Sequence, residues 1–260
     1  MPRETVSKTF FVAAVLCVVC SVLVSIAAVE LRPIQKVNKV LDKKRNILTA
    51  AGLLDESKTI DERFKNIEAK VVDLATGEYV DGVDPDTYDQ RSAAKDPSKN
   101  VEIPPESDRA GIKRRAKLAA VYLVYKKGEI DKVILPVHGM GLWSTLYGFL
   151  ALDVEDVNTI RGLVYYEHME TPGLGGEVDN PRWKALWNGK RAFDEAGNVA
   201  IEVVRGFVDK NGSKAVYQVD GLSGATITSR GVSATLKYWL SEDGFGPYLT
   251  RLKVEGVSHG

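Results

Sequence analysis

Residues 119–137, AAVYLVYKKGEIDKVILPV, decide the fold. Two β-rich runs, 119–126 and 129–137, flank Lys127-Gly128, and a lysine-glycine pair between such runs predicts a tight hairpin. Further strand runs follow at 149–154, 162–168, 199–206 and 215–219. Only short helices fit between them, at 183–187 after Asn180-Pro181 and at 229–240, where Val232, Leu236, Trp239 and Leu240 share one face. Consecutive strands with helices to one side predict an α+β domain over 117–260 with a twisted, mainly antiparallel sheet, not a doubly wound one.

Upstream, the texture changes three times. Residues 78–110 are polar, hold six aspartates from Asp81 to Asp108 and are interrupted by Pro85, Pro97, Pro104 and Pro105; this predicts a long surface excursion or linker. Before it, Ile60, Phe64, Ile67, Val71 and Leu74 step by four, three, four and three between Thr59 and Gly77, which predicts a capped amphipathic helix. Ile34, Val37, Val40, Leu41, Ile47, Leu48 and Ala51 predict another over 31–54, with Pro33 in its first turn. Residues 30–116 are thus read as a helical connector plus excursion.

Residues 9–29, TFFVAAVLCVVCSVLVSIAAV, carry no formal charge over 21 positions. About 20 apolar residues cross a bilayer core, so this segment is read as a single membrane span behind a tail of residues 1–8. A cleaved signal is the competing reading, given the small residues Ser25 and Ala27, but the apolar run exceeds the usual h-region. Cys17 and Cys20 both lie in it, so the remainder of the chain has neither a disulfide nor a thiolate metal site. Arg3 and Lys8 precede the span, and Arg32, Lys36, Lys39, Lys43, Lys44 and Arg45 follow it. Counting positives alone puts the C-terminal side in the cytoplasm.

The 260 residues balance 35 Lys+Arg against 35 Asp+Glu. Without cationic excess or a segregated basic stretch, nucleic acid is excluded as an expected partner. His138, His168 and His259 are widely spaced and have no ligand-spaced neighbour, so no metal site is expected. There is no P-loop, and Ser144 stands where a dinucleotide fingerprint starting at Gly139 needs its third glycine.

Three glycine-rich segments remain. Residues 138–147, HGMGLWSTLY, set small residues beside Trp143, a combination suited to a planar ligand or to an ordinary turn over a core aromatic. Residues 168–176, HMETPGLGG, offer turn amides, with Glu170 and Thr171 as side-chain partners. Residues 220–230, DGLSGATITSR, place Ser223, Thr226, Thr228 and Ser229 at the start of the last predicted helix. Free amides and the helix dipole there suit a phosphate, and simple capping by Thr228 or Ser229 is the alternative.

Asp220 followed by Ser223-Gly224-Ala225-Thr226 resembles the flavinylation motif of bacterial respiratory proteins that carry FMN through a phosphoester on the threonine after the alanine. The wider chain resembles the C subunits of Na+-translocating NADH:quinone reductases, on the N-terminal anchor, Leu31-Arg-Pro-Ile-Gln-Lys36, Pro136-Val-His-Gly-Met-Gly-Leu-Trp143, Glu170-Thr-Pro-Gly-Leu-Gly175 and the flavin motif together. The resemblance implies a covalent FMN on Thr226, with Ser223, Gly224, Ala225 and Thr228 around its phosphate. Trp143, Thr145, Glu170, Thr171, Leu174 and Gly175 are expected about the ring. It implies an electron-carrying member of a complex that oxidises NADH, reduces ubiquinone and exports Na+, with the other subunits and a maturing flavin transferase as partners. It also implies a single-pass inner-membrane protein with a periplasmic flavin domain, against the positive count; Asp220 is expected to serve transferase recognition. Two other readings compete: the related G subunits of ion-translocating ferredoxin:NAD oxidoreductases, disfavoured by the long connector, and a cofactor-free anchored interaction domain.

Overall fold

A computed structural model describes residues 5–54 and 59–257; His259 and Arg3 lie outside the described residues. The chain divides into two compact units, 1–44 and 45–260. The first consists of the greater part of helix α1, Val6–Ala50, whose side chains are exposed along residues 9–29. The span and connector form one helix with Pro33 inside it. The 31–54 element is therefore the continuation of the span, not a separate helix. Its last turn belongs to the second unit, where Gly52, with φ +69°, ends it and the Leu53 amide returns to the Leu48 carbonyl at 2.8 Å.

The second unit is built on a five-stranded antiparallel sheet. Its strands are β1 Ile67–Asp73, β4 Leu118–Lys126, β5 Glu129–Met140, β6 Thr145–Asp153 and β7 Ile160–Glu167, in the order β1-β4-β5-β6-β7. The expected α+β architecture is borne out, and the hairpin turns at Lys127 and Gly128, both with positive φ. Short pairs accompany it: β2 Asn100–Glu102 with β3 Arg114–Ala116, and the parallel β8 Glu202–Val203 with β9 Gln218–Val219. Of the runs 199–206 and 215–219, only these two dipeptides are strand.

The helix expected from Thr59 to Gly77 is corrected. Thr59 does cap, in a reciprocal box with Glu62, but helix α2 is only Ile60–Phe64. Residues 67–73 are strand β1, paired from Ile67↔Val124 to Asp73↔Leu118. Val71 and Val72, adjacent and both buried, need a strand that buries both faces, and the open edge of β4 supplies the ladder. The folded unit therefore starts far ahead of residue 117.

The excursion 78–110 is likewise packed against the sheet and is not a linker. It carries α3, Gln90–Lys95, and buries Ile103 and Ala110 in the main core. Tyr88 Oη donates to the Leu118 carbonyl at 3.0 Å, and Met140 N to the Ala110 carbonyl at 2.8 Å. Its aspartates close local turns: Asp84, Asp89, Asp96 and Asp108 each accept amides a few residues on.

Both faces of the sheet are covered. Ala119, Val121, Leu123, Val133 and Leu135 join the core under α5 (Thr226–Trp239) and α6 (Gly246–Val257), whereas Ala120, Tyr122, Val124, Ile134 and Phe149 pack with Ile47, Leu48 and Ala50. This explains why residues 119–125 are apolar at both parities. Helix α6 had no counterpart among the sequence expectations. Its Tyr248, Leu249 and Leu252 are buried, and the short α4, Pro181–Ala185, contributes Trp183.

Candidate functional site

The three glycine-rich segments meet at one end of the sheet. Strand β5 ends at Met140, the turn 141–144 leads into β6, residues 168–176 follow β7, and residues 220–225 lead into α5. Helix α5 crosses β5 so closely that a Cβ on Gly231 would collide with the Met140 carbonyl oxygen. A Cβ on Gly224 would lie 2.8 Å from Leu174 Cδ2, so the second and third segments touch.

Glu170 is the hub. It is 5% exposed, and its Oε1 accepts the amides of Leu142 (3.1 Å), Trp143 (2.9 Å) and Ser144 (3.3 Å). Its Oε2 accepts the hydroxyl of fully buried Thr228 at 2.6 Å. Ser144 Oγ returns a contact by accepting the Met169 amide at 2.7 Å. Burial opposes ionisation of Glu170, but the Thr228 hydroxyl and the amides of Trp143, Leu142 and Ser144 outweigh it and hold the carboxyl below its ordinary range. A Cβ at Gly141 would stand 2.6 Å from Oε1, and one at Gly175 2.5 Å from Oε2 and 2.7 Å from Thr228 Oγ1. These two glycines thus make room for a carboxylate of this same chain.

The inward turn of those amides leaves the apolar side chains outside. Trp143 is 68% exposed, and Leu142, Met169, Leu174 and Ile227 are exposed with it. Thr145 Oγ1 lies 3.5 Å from Met140 Sδ, and the Thr171 carbonyl accepts the Leu174 and Gly176 amides. The amides of Thr171 and Gly173 have no acceptor among the described residues.

Helix α5 begins at Thr226 with Ala225 at the N-cap and no side-chain cap. The expected caps Thr228 and Ser229 lie inside the helix instead, because Thr228 serves Glu170 and Ser229 Oγ accepts the Leu222 amide at 3.1 Å. Ser229 N to the Ala225 carbonyl is the first bond of the helix, so the amides of Thr226, Ile227 and Thr228 are the orphan donors of its first turn. Ser223, Gly224 and Thr226 are exposed, and Ala225 is buried. Beside Thr226 lies a hollow of about 130 Å³ lined by Arg205, Gly206, Gly221, Ser229 and Arg230 among others. The Asp220 carboxylate accepts the Val208 amide at 2.8 Å, which holds the 205–208 loop there.

Arg205 and Gly206 were not among the expected site residues. Their loop is brought in by the Val203↔Val219 bridge and by Gly221 N donating to the Gly206 carbonyl at 2.7 Å, and a two-residue parallel pairing leaves no periodic signal in sequence. Arg230 ends the 220–230 segment quoted above and was legible there.

An uncapped helix start beside a hollow lined in part by two arginines fits a phosphate, and an apolar rim with free turn amides fits a flat ring. The class defined is a flavin-binding domain, and residues 141–241 match the family model described as FMN-binding domain. The chain is 51% identical to the C subunit of the Na(+)-translocating NADH-quinone reductase of Pseudomonas aeruginosa over 96% of this chain and 97% of the relative. It is 50% identical to that of Vibrio anguillarum over 98% of each. Its fold is similar to the crystal structure of Shewanella oneidensis NqrC, with TM-score 0.77 and 36% identity over 84% of this chain and 99% of that one. The crystal structure of the corresponding protein from Parabacteroides distasonis gives 0.65 and 31% over 85% and 97%. The chain belongs to the family of C subunits of the Na(+)-translocating NADH-quinone reductase.

Proposed function

We propose that this chain is the electron-transfer subunit of a Na+-translocating NADH:ubiquinone reductase, carrying FMN as a phosphoester of Thr226. The observation that supports it most is exposed Thr226 at the first position of an uncapped 14-residue helix, beside the hollow lined in part by Arg205 and Arg230. Three orphan amides and two cations neutralise a phosphate diester there, each helix-end interaction contributing up to about 2 kcal/mol. Ser223, Gly224 and Ala225 keep the approach to Thr226 low, as a transferase needs. When bound, the flavin supplies the electron transfer. The residues of this chain orient it: Trp143 and Leu174 offer apolar surface, Thr145 and Thr171 line the rim, and Gly175 admits the Glu170 carboxylate beneath.

The 21 uncharged residues 9–29, within a helix exposed along its apolar length, anchor the chain in the inner membrane as a single span. The flavin domain lies on the periplasmic side, with the other reductase subunits and a flavin transferase as partners. Mass spectrometry of the peptide containing Thr226, from cells holding the transferase, tests the attachment. A gain of one FMN less water, abolished in Thr226→Ala, is expected; an unmodified wild-type peptide would overturn it. A C-terminal phosphatase fusion active only in the periplasm is expected for the topology, and an inactive one with an active cytoplasmic reporter refutes it.

A further inference from the structure

We infer that Glu170 is the positioning residue of the flavin site, its buried carboxylate locking the 141–144 turn to the start of α5 and so fixing Trp143 relative to Thr226. Its two oxygens are filled by the amides of Leu142, Trp143 and Ser144 and by the Thr228 hydroxyl, all from within the chain. A carboxylate has about four acceptor sites, so Glu170 has none left for a ring edge. The contacts join two elements distant in sequence: the turn after β5 and the first turn of the helix that bears Thr226. Two glycines, Gly141 and Gly175, keep their Cβ positions vacant around that carboxylate, and neither has positive φ, so space rather than backbone conformation requires them. Hydrogen bonds to an ionised acceptor are roughly twice as strong as neutral ones, and the charge they stabilise stands fixed behind the exposed Trp143.

This assignment rests on FMN at Thr226, yet part of its test does not. In the full-length chain, Glu170→Ala is expected to speed hydrogen exchange of the 141–144 amides about tenfold or more, with or without flavin attached. In the flavin-loaded chain it is expected to shift the visible absorption bands and raise the spread of ring environments. Glu170→Gln keeps an oxygen toward the three amides and turns its NH2 toward Thr228 Oγ1. It is therefore expected to restore the exchange protection and the spectrum while moving the flavin midpoint potential upward, because a fixed negative charge is gone. Glu170→Asp, one methylene shorter, is expected to restore neither. Should Glu170→Ala fail to fold, Thr228→Val removes one tie and is expected to produce the same changes in smaller measure. Unchanged 141–144 exchange in Glu170→Ala, or in Thr228→Val where the alanine variant does not fold, overturns the positioning role. An unchanged potential in Glu170→Gln overturns the electrostatic one. An absence of flavin on wild-type Thr226 with the exchange result intact overturns the attachment and leaves the lock standing.

Discussion

His138 makes the stability of the flavin domain pH-dependent well above the carboxylate range. Its ring is stacked on Tyr147 at 5.4 Å between centroids and tilted against Trp239 at 4.9 Å, and Trp239 Nε1 donates to the His138 carbonyl at 2.7 Å. Arg91 lies over the Tyr147 ring, 3.5 Å from its centroid. Burial first, and the Arg91 charge second, push the imidazole from its ordinary 6.5 down to about 4. The sign follows from a depressed cationic group: the unfolded chain takes up the proton first, so stability is complete above 6.5 and is lost as pH falls toward 4. At about 1.4 kcal/mol per unit, acidifying from pH ~7.5 to ~5 removes about 2 kcal/mol. Glu170, whose carboxyl lies below its ordinary 4.5, loses stability only below that window. Urea unfolding of the full chain in detergent at the two pH values, for wild type and His138→Gln, isolates the effect, since the other titrating groups are common to both. The wild type is expected to lose about 2 kcal/mol more than the variant. Equal losses, or an NMR titration placing His138 at or above 6.5, would refute the reasoning.

Leu236→Ala, at a fully buried position of α5 over the sheet, is expected to cost about 2–5 kcal/mol by the same denaturation assay. Gly175→Ala forces a methyl against the Glu170 carboxylate and Thr228 and is expected to destabilise by about 1–3 kcal/mol while accelerating exchange of the 141–144 amides. Trp143→Ala, in contrast, removes an exposed side chain and is expected to leave stability within about 0.5 kcal/mol, yet to alter flavin absorption and fluorescence in the loaded chain.

The strands over 119–137 were legible because their β-branched and aromatic residues sit on either side of a lysine-glycine turn. Strand β1 was not: Ile67, Val71 and Leu74 also fit a helical step, and only the open edge of β4 decides between the periods. The excursion misled for a related reason. Aspartates and prolines mark turns whether a segment wanders or is pinned, and the pinning comes from Tyr88 on Leu118 and from buried Ile103 and Ala110, contacts across the fold. At the site, the three glycine-rich segments and Thr226 could be picked out by eye, but Glu170 was expected at the ring whereas its carboxylate faces inward.

The sequence by itself determined the apolar helix, the antiparallel hairpin and the threonine at a helix start, because each depends on residues adjacent along the chain. Only the tertiary structure decided which groups face a ligand. The orientation of the 141–144 amides, the burial of Thr228 and the arrival of Arg205 beside Thr226 depend on a buried carboxylate and a two-residue strand pairing that join segments 16 to 58 positions apart. Local pattern does not encode such pairings, whose stabilisation exists only once the chain has closed around them.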